Sequence, residues 1–203
     1  MDPFTLDGIL LTHKHLDHSG DINVLIEAMT EGGFRKRGVL FATEDALEED
    51  PVVFRYVRSY LEKIEILREN TRYEIGGISF STALRHRHGV ETYGINFRMA
   101  SRTVSFITDT GFFPELPDLY TGEVLIIHAV RHKSTAESQI DHLSIEDVKA
   151  IVKRARPKLT VLTHFGMTMI KAKPWDVAAE LERELGVRII AARDGMKLKL
   201  DEV

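Results

Sequence analysis

The apolar run Gly8-Ile9-Leu10-Leu11 reads as a buried strand that delivers Thr12 and His13 at its carboxyl end, where α/β folds collect functional loops. Asp21 is placed to cap a helix over Ile22 to Met29 that stops at Gly32-Gly33. A strand over Gly38 to Ala42 and a mostly helical, charged stretch from Thr43 to Leu67 are expected next. From Tyr73 the pattern shortens. Gly76-Gly77 turns a hairpin, and Ile78 to Leu84, Tyr93 to Met99 and Thr103 to Ile107 read as consecutive strands of an antiparallel block. A strand over Val124 to Ile127 follows, then a helix over Ile145 to Arg156 with Ser144 and Asp147 as its capping box. Leu159 to Thr163 reads as a strand and Trp175 to Leu185 as a helix. Val187 to Ile190 and Met196 to Leu200 read as final strands. Clustered strands followed by strands with helices between them predict an α/β protein of packed sheets covered by helices.

Composition narrows this picture. A chain of 203 residues, 43% hydrophobic and 29% charged, has the apolar mass for one compact core, so 1–203 is expected to be a single domain with one site. Proline and glycine are scattered, and no repeat or low-complexity segment marks a boundary. The net charge of -4 argues against sequence-independent binding to long nucleic acid and favours a small substrate. With no cysteine, disulfides and thiolate metal sites are excluded, which leaves His and carboxylate as the strong metal ligands. No apolar run approaches the roughly 20 residues that span a bilayer. Met1-Asp2-Pro3-Phe4 lacks a basic, then apolar, leader pattern. A soluble, cytoplasmic protein without membrane contact is expected.

The dominant chemical signal is Thr12-His13-Lys14-His15-Leu16-Asp17-His18, a HxHxDH pattern set directly after a buried strand. Crowded imidazoles and a carboxylate on one loop suit a divalent cation, because neutral His and ionised Asp supply the donors that zinc accepts. The alternating spacing lets His13 and His15 point one way, leaving Asp17 and His18 for a second centre. A merely histidine-rich polar loop is the weaker alternative.

This run resembles the defining motif of metallo-β-lactamase-fold hydrolases, and later segments resemble that family's motifs in order. His88-Gly89-Val90-Glu91-Thr92-Tyr93-Gly94 is similar to the histidine, spacer and aromatic-Gly pattern of ribonuclease Z and of the phosphonate-pathway cyclic phosphodiesterases. Phe106-Ile107-Thr108-Asp109-Thr110-Gly111 resembles the segment that supplies a metal-bridging aspartate, and Leu162-Thr163-His164-Phe165-Gly166 the last ligand segment. The resemblance implies a metallo-β-lactamase αββα sandwich. It also implies two divalent metal ions, zinc foremost with manganese or iron as alternatives. His13, His15 and His88 would hold one and Asp17, His18 and His164 the other, with Asp109 shared. Paired cations would stabilise a bridging hydroxide at neutral pH and neutralise charge on the attacked group. Asp17 would also orient that hydroxide. His86 rivals His88 but lacks the family distance from Tyr93-Gly94, and is expected to be peripheral.

His142, in Asp141-His142-Leu143-Ser144, matches the position where these phosphodiesterases place a histidine beside the metals, which implies a catalytic acid. His128 aligns with a histidine-glutamate segment of ribonuclease Z, but Ala129 stands where the glutamate would be. That departure counts against ribonuclease Z activity and leaves His128 a supporting role. Arg85, Arg87, Arg131, His132 and Lys133 flank the ligand segments, where cations could meet substrate phosphate, although a solvated surface explains any one of them. Arg35-Lys36-Arg37 reads as a solvated charge cluster and Asp194-Gly195 as a structural turn. About a dozen residues precede His13, whereas the family carries several strands ahead of this motif. A sandwich lacking part of its N-terminal sheet is therefore expected, self-associating as a homo-oligomer or poorly active. The leading function is hydrolysis of a small nucleotide-like phosphodiester. Thioester or lactone hydrolysis on the same metal core is the alternative, although the third segment lacks the Gly-His-Thr-Pro-Gly style those enzymes show. A non-catalytic metal-binding or assembly protein is the remaining one.

Overall fold

The computed structural model describes residues 2–48, 50–99, 102–133 and 141–203. Two compact units divide them: the first takes the chain up to Arg85 together with Gly89–Tyr93, the second His86–His88 together with Gly94–Val203.

The first unit opens with a 3-10 turn, Pro3–Thr5, capped by the Asp2 carboxylate accepting from the Phe4 N–H at 3.0 Å. Its elements are β1 (Gly8–Leu10), α1 (Leu16–Ser19), α2 (Ile22–Met29), β2 (Val39–Ala42), α3 (Arg55–Arg58), β3 (Lys63–Ile66), β4 (Arg72–Ile75) and β5 (Ile78–Thr82). Strands β1, β2 and β3 form a parallel sheet in that order, with Gly8 opposite Val39 and Leu40 opposite Ile64. Helix α2 turns Ile22, Ile26 and Met29, at helical spacing, into a core with Leu11, Leu40, Val53, Val57 and Leu61, while Val24 stays in solvent. Asp21 does stand at its N-cap, but its backbone geometry is not that of a cap and its side chain makes no capping bond. Strands β4 and β5 form the expected hairpin. Gly76 and Gly77 have φ of 54° and 78°, the paired positive values that a two-residue turn matching the strand twist demands. Tyr73 and Phe80 pair across it and stack at 5.2 Å, and Phe41 packs edge-on against both.

The expected helical stretch from Thr43 to Leu67, of which Glu49 lies outside the described residues, is not one. Among its described residues the one helix is the single turn α3, and Lys63–Ile66 is strand β3. Pro51 interrupts any helix there, and Lys63-Ile64-Glu65-Ile66 alternates and finds backbone partners along β2.

The second unit contains β6 (Ile95–Met99), β7 (Arg102–Ile107), α4 (Leu116–Leu119), β8 (Val124–His128), α5 (Ile145–Ala155), β9 (Leu159–Thr163), α6 (Met167–Lys171), α7 (Pro174–Leu185) and β10 (Arg188–Ala191), and closes with a 3-10 turn at Leu200–Glu202. Its strands run in the order β10-β9-β8-β7-β6, parallel except for the antiparallel pair β6/β7. Helix α5 starts at the expected capping box: Ser144 Oγ accepts from the Asp147 N–H, and the Asp147 carboxylate accepts from the Ser144 N–H at 2.8 Å. Its buried stripe is Ile145, Val148, Ile151 and Val152. Helix α7 has Pro174 in its first turn and buries Val177, Ala178, Leu181 and Leu185. The segment Met196 to Leu200 is no strand; Met196, Leu198 and Leu200 pack on Val104, Val124, Leu159 and Val161 without joining a ladder. Among the described residues no helix is long and apolar enough to cross a membrane.

Candidate functional site

In the first unit the loop after β1 carries the HxHxDH residues. The Leu11 N–H still pairs with the Phe41 carbonyl at 2.8 Å, and the Tyr93 N–H reaches the Thr12 carbonyl at 3.3 Å, so the backbone is held up to the first histidine. His13 is fully buried, with the His15 ring at 5.0 Å and the His18 ring at 4.0 Å. His15 stands at the N-cap of α1, whose single turn carries Asp17 and His18. His18 Nε2 lies 3.6 Å from Asp17 Oδ2. The Asp17 side chain is 62% exposed and that of His18 only 14%.

In the second unit the sheet register does the gathering. Strands β7, β8 and β9 are parallel with Ile107 opposite Ile127 and His128 opposite Thr163, so Asp109, His128 and His164 leave the sheet at one edge. The Asp109 side chain, 2% exposed, accepts from His128 Nδ1–H at 2.7 Å. Its other oxygen faces His164 Nε2 at 3.7 Å and His88 Nε2 at 3.9 Å, and His142 Nδ1 stands 3.9 Å from Oδ1. His164 has φ of 56°, a left-handed conformation costly for a residue with a Cβ and typical of functional sites. His88 Nδ1 donates to the Asp141 carbonyl at 3.1 Å, which leaves Nε2 as the lone-pair nitrogen on the Asp109 side.

These donors fit a divalent metal. A buried carboxylate is costly without a positive partner. The separations to His88 and His164 are too long for hydrogen bonds, yet they match the roughly 3.3–4 Å between two donors that each sit about 2.0–2.2 Å from a shared ion. The ligand atoms of Asp109, His128 and His164 all lie within 4.8 Å of one another, as do those of His88 and Asp109, and those of His13 and His15. His128, expected to play a supporting role, is hydrogen-bonded to Asp109, the candidate ligand. Its position is set by the β8/β9 register, which the local motif does not carry. His86 is fully buried beneath Asp109 and not among the candidate ligands.

His142 is half-buried and sits against the same carboxylate. Burial holds its pKa below the ordinary histidine value, with His88, His164 and Arg131 adding to this and Asp109 opposing it. Of the flanking cations, Arg87 lays its guanidinium 5.4 Å over the Phe113 ring, and Arg131 pairs its backbone with Leu143 beside His142. The His132 N–H bonds Thr168, Lys133 is exposed, and the Arg85 N–H bonds Glu69. Arg37 departs from the expected solvated cluster: its guanidinium holds the carbonyls of Phe4 and Leu6, fastening the start of the chain. Asp194-Gly195 is a turn, as expected, closed by the Met196 N–H on the Arg193 carbonyl.

Residues 2–165 match the model of the beta-lactamase superfamily domain. An uncharacterized protein of Methanocaldococcus jannaschii is 29% identical over 98% of this chain and 76% of its own length. Among solved structures, the metallo-beta-lactamase fold protein YhfI of Bacillus subtilis superposes with a TM-score of 0.79 at 18% identity, covering 96% of this chain and 78% of that one. A diphosphatase from the PhnP family superposes at 0.68 with 26% identity, covering 96% and 72%. Motif order, the gathered His/Asp donors and these matches agree: the chain belongs to the beta-lactamase superfamily and is a metal-dependent hydrolase with the metallo-β-lactamase fold.

Proposed function

We propose that this hydrolase cleaves a small, nucleotide-like phosphodiester. The observation that carries the reading is Asp109, a buried carboxylate faced by the imidazoles of His88, His128, His142 and His164. The kinship to a PhnP-family diphosphatase favours phosphate as the attacked group. In this reading residues 1–203 act as one hydrolase domain. His13, His15 and His88 would hold one divalent cation and Asp17, His18 and His164 a second, with Asp109 shared. The assignment rests on motif order together with the geometry inside each unit. Bound there, two divalent cations, zinc foremost, supply activation of water at neutral pH and neutralisation of phosphate charge.

The chain's own residues supply the rest. His128 orients Asp109 through its 2.7 Å hydrogen bond, and the Asp141 carbonyl fixes the tautomer of His88. Asp17, exposed on α1, takes the proton of the incoming water. His142 in its protonated form, which Asp109 favours and burial opposes, would deliver a proton to the departing ester oxygen, and Arg131 contributes positive charge on the same side. A net charge of -4 suits a small substrate better than long nucleic acid, and the absence of cysteine suits the cytoplasm.

The test is turnover of bis-para-nitrophenyl phosphate by zinc- or manganese-reconstituted protein, beside a thioester and lactone panel and the Asp109→Ala variant. Phosphodiester hydrolysis lost in the variant supports the reading, and activity confined to thioesters or lactones contradicts it.

A further inference from the structure

Beneath Asp109 lies a buried chain of hydrogen bonds that the proposed chemistry does not use. Among the described residues of the second unit, His86 is 3% exposed and Tyr120 is fully buried. His86 Nδ1 lies 3.1 Å from the backbone carbonyl of Asp109 and His86 Nε2 lies 2.7 Å from the Tyr120 hydroxyl. A carbonyl only accepts, so Nδ1 carries the proton, and Nε2 accepts from the Tyr120 O–H. The Tyr120 oxygen in turn accepts from the Gly94 N–H. That approach requires glycine: a Cβ at Gly94 would meet the Tyr120 oxygen at 2.4 Å and the Phe106 carbonyl at 2.6 Å. Thr108 Oγ1, 3.3 Å away, shares the Nδ1–H with the carbonyl, and the direction runs from Gly94 through Tyr120 and His86 to the Asp109 peptide.

The same place is stitched a second time. Arg87 and Gly111 form a bridge, with the Gly111 N–H on the Arg87 carbonyl at 2.7 Å and the Arg87 N–H on Thr110 Oγ1 at 3.2 Å. Segments 86–88 and 109–111 are thereby zipped together, and each carries one candidate ligand, His88 or Asp109. We infer that His86 and Tyr120 are positioning residues that set the Asp109 peptide, and with it the carboxylate, against His88. This rests on the proposed metal reading.

The test compares zinc affinity, measured by chelator competition, and the visible spectrum of cobalt-loaded protein across wild type, Tyr120→Phe, His86→Leu and His86→Asn. Asparagine can restore a donor near the place of Nδ1. Tyr120→Phe and His86→Leu are expected to weaken zinc by about 10–100-fold and to change the cobalt spectrum, with His86→Asn recovering most of the loss. Wild-type affinity and spectrum in all three variants overturn the inference, whatever their melting temperatures. Should the variants not fold, nitrogen NMR of the wild type decides: the Nδ1–H tautomer at His86 upholds the inference, and the Nε2–H tautomer overturns it. Wild-type protein that takes up no metal overturns the metal reading, and this inference with it.

Discussion

Replacing Asp109 with Asn separates a ligand carboxylate from a structural one by the sign of its effect on stability. The carboxylate is 2% exposed and accepts a 2.7 Å hydrogen bond from His128, while His88, His142 and His164 stand at 3.7–3.9 Å. A buried ion costs several kcal/mol after relaxation, and a neutral amide of the same shape escapes most of that cost, so removing the charge is expected to stabilise the stripped protein by about 1–3 kcal/mol. Asn keeps the shape: its oxygen accepts from His128 Nδ1–H and its amide faces the lone pairs of His88 and His164. In a chain of this size each kcal/mol moves the midpoint by about 2–4 °C, so Asp109→Asn is expected to melt about 2–12 °C above wild type in chelator. Metal reverses the order. Zinc at a thousandfold its Kd stabilises wild type by about 4 kcal/mol, or about 8–16 °C, and this shift should largely vanish in the variant. Scanning calorimetry of both proteins, stripped and zinc-loaded at one pH, reads all four values. A stripped variant that melts well below wild type and keeps the full zinc shift would refute the reasoning, because Asp109 would then be a structural anchor.

Three further outcomes follow from single positions. His164→Gly relieves the left-handed backbone and should raise the stripped protein's stability by about 1 kcal/mol over His164→Ala, while both weaken zinc binding in competition assays. Ser144→Ala removes the capping box of α5 and should cost about 1 kcal/mol, lowering the midpoint by about 2–4 °C with zinc stoichiometry unchanged. His142→Gln should slow hydrolysis of diesters with poor leaving groups by about 10²–10⁴-fold and that of para-nitrophenyl esters much less, since only the former need a proton on departure; equal losses on both would remove the acid role.

Much of the candidate site was legible because its chemistry is local and expensive. HxHxDH after an apolar strand has few other uses, and Asp109 and His164 each follow a strand whose apolar run is unmistakable. What escaped was set by distant partners. For His128 the local departure at Ala129 points to a supporting role, and only the pairing of β8 with β9 shows the contact it makes, a hydrogen bond to Asp109. The spacing of His86 makes it peripheral to the motif, and only the fold shows Tyr120 and the Asp109 carbonyl on its two nitrogens. The same limit applies to the fold. Lys63–Ile66 is a strand because β2 offers it backbone partners, and the alternation at Met196, Leu198 and Leu200 marks packing on β7, β8 and β9. A period of two reports which side chains are buried, not whether a ladder forms.

The central claim is that the His/Asp donors bind metal, and titration calorimetry of chelator-stripped protein with zinc tests it most directly. The account predicts saturable uptake approaching two ions per chain, with proton release. No uptake, or only weak binding that Asp109→Asn leaves unchanged, would contradict it.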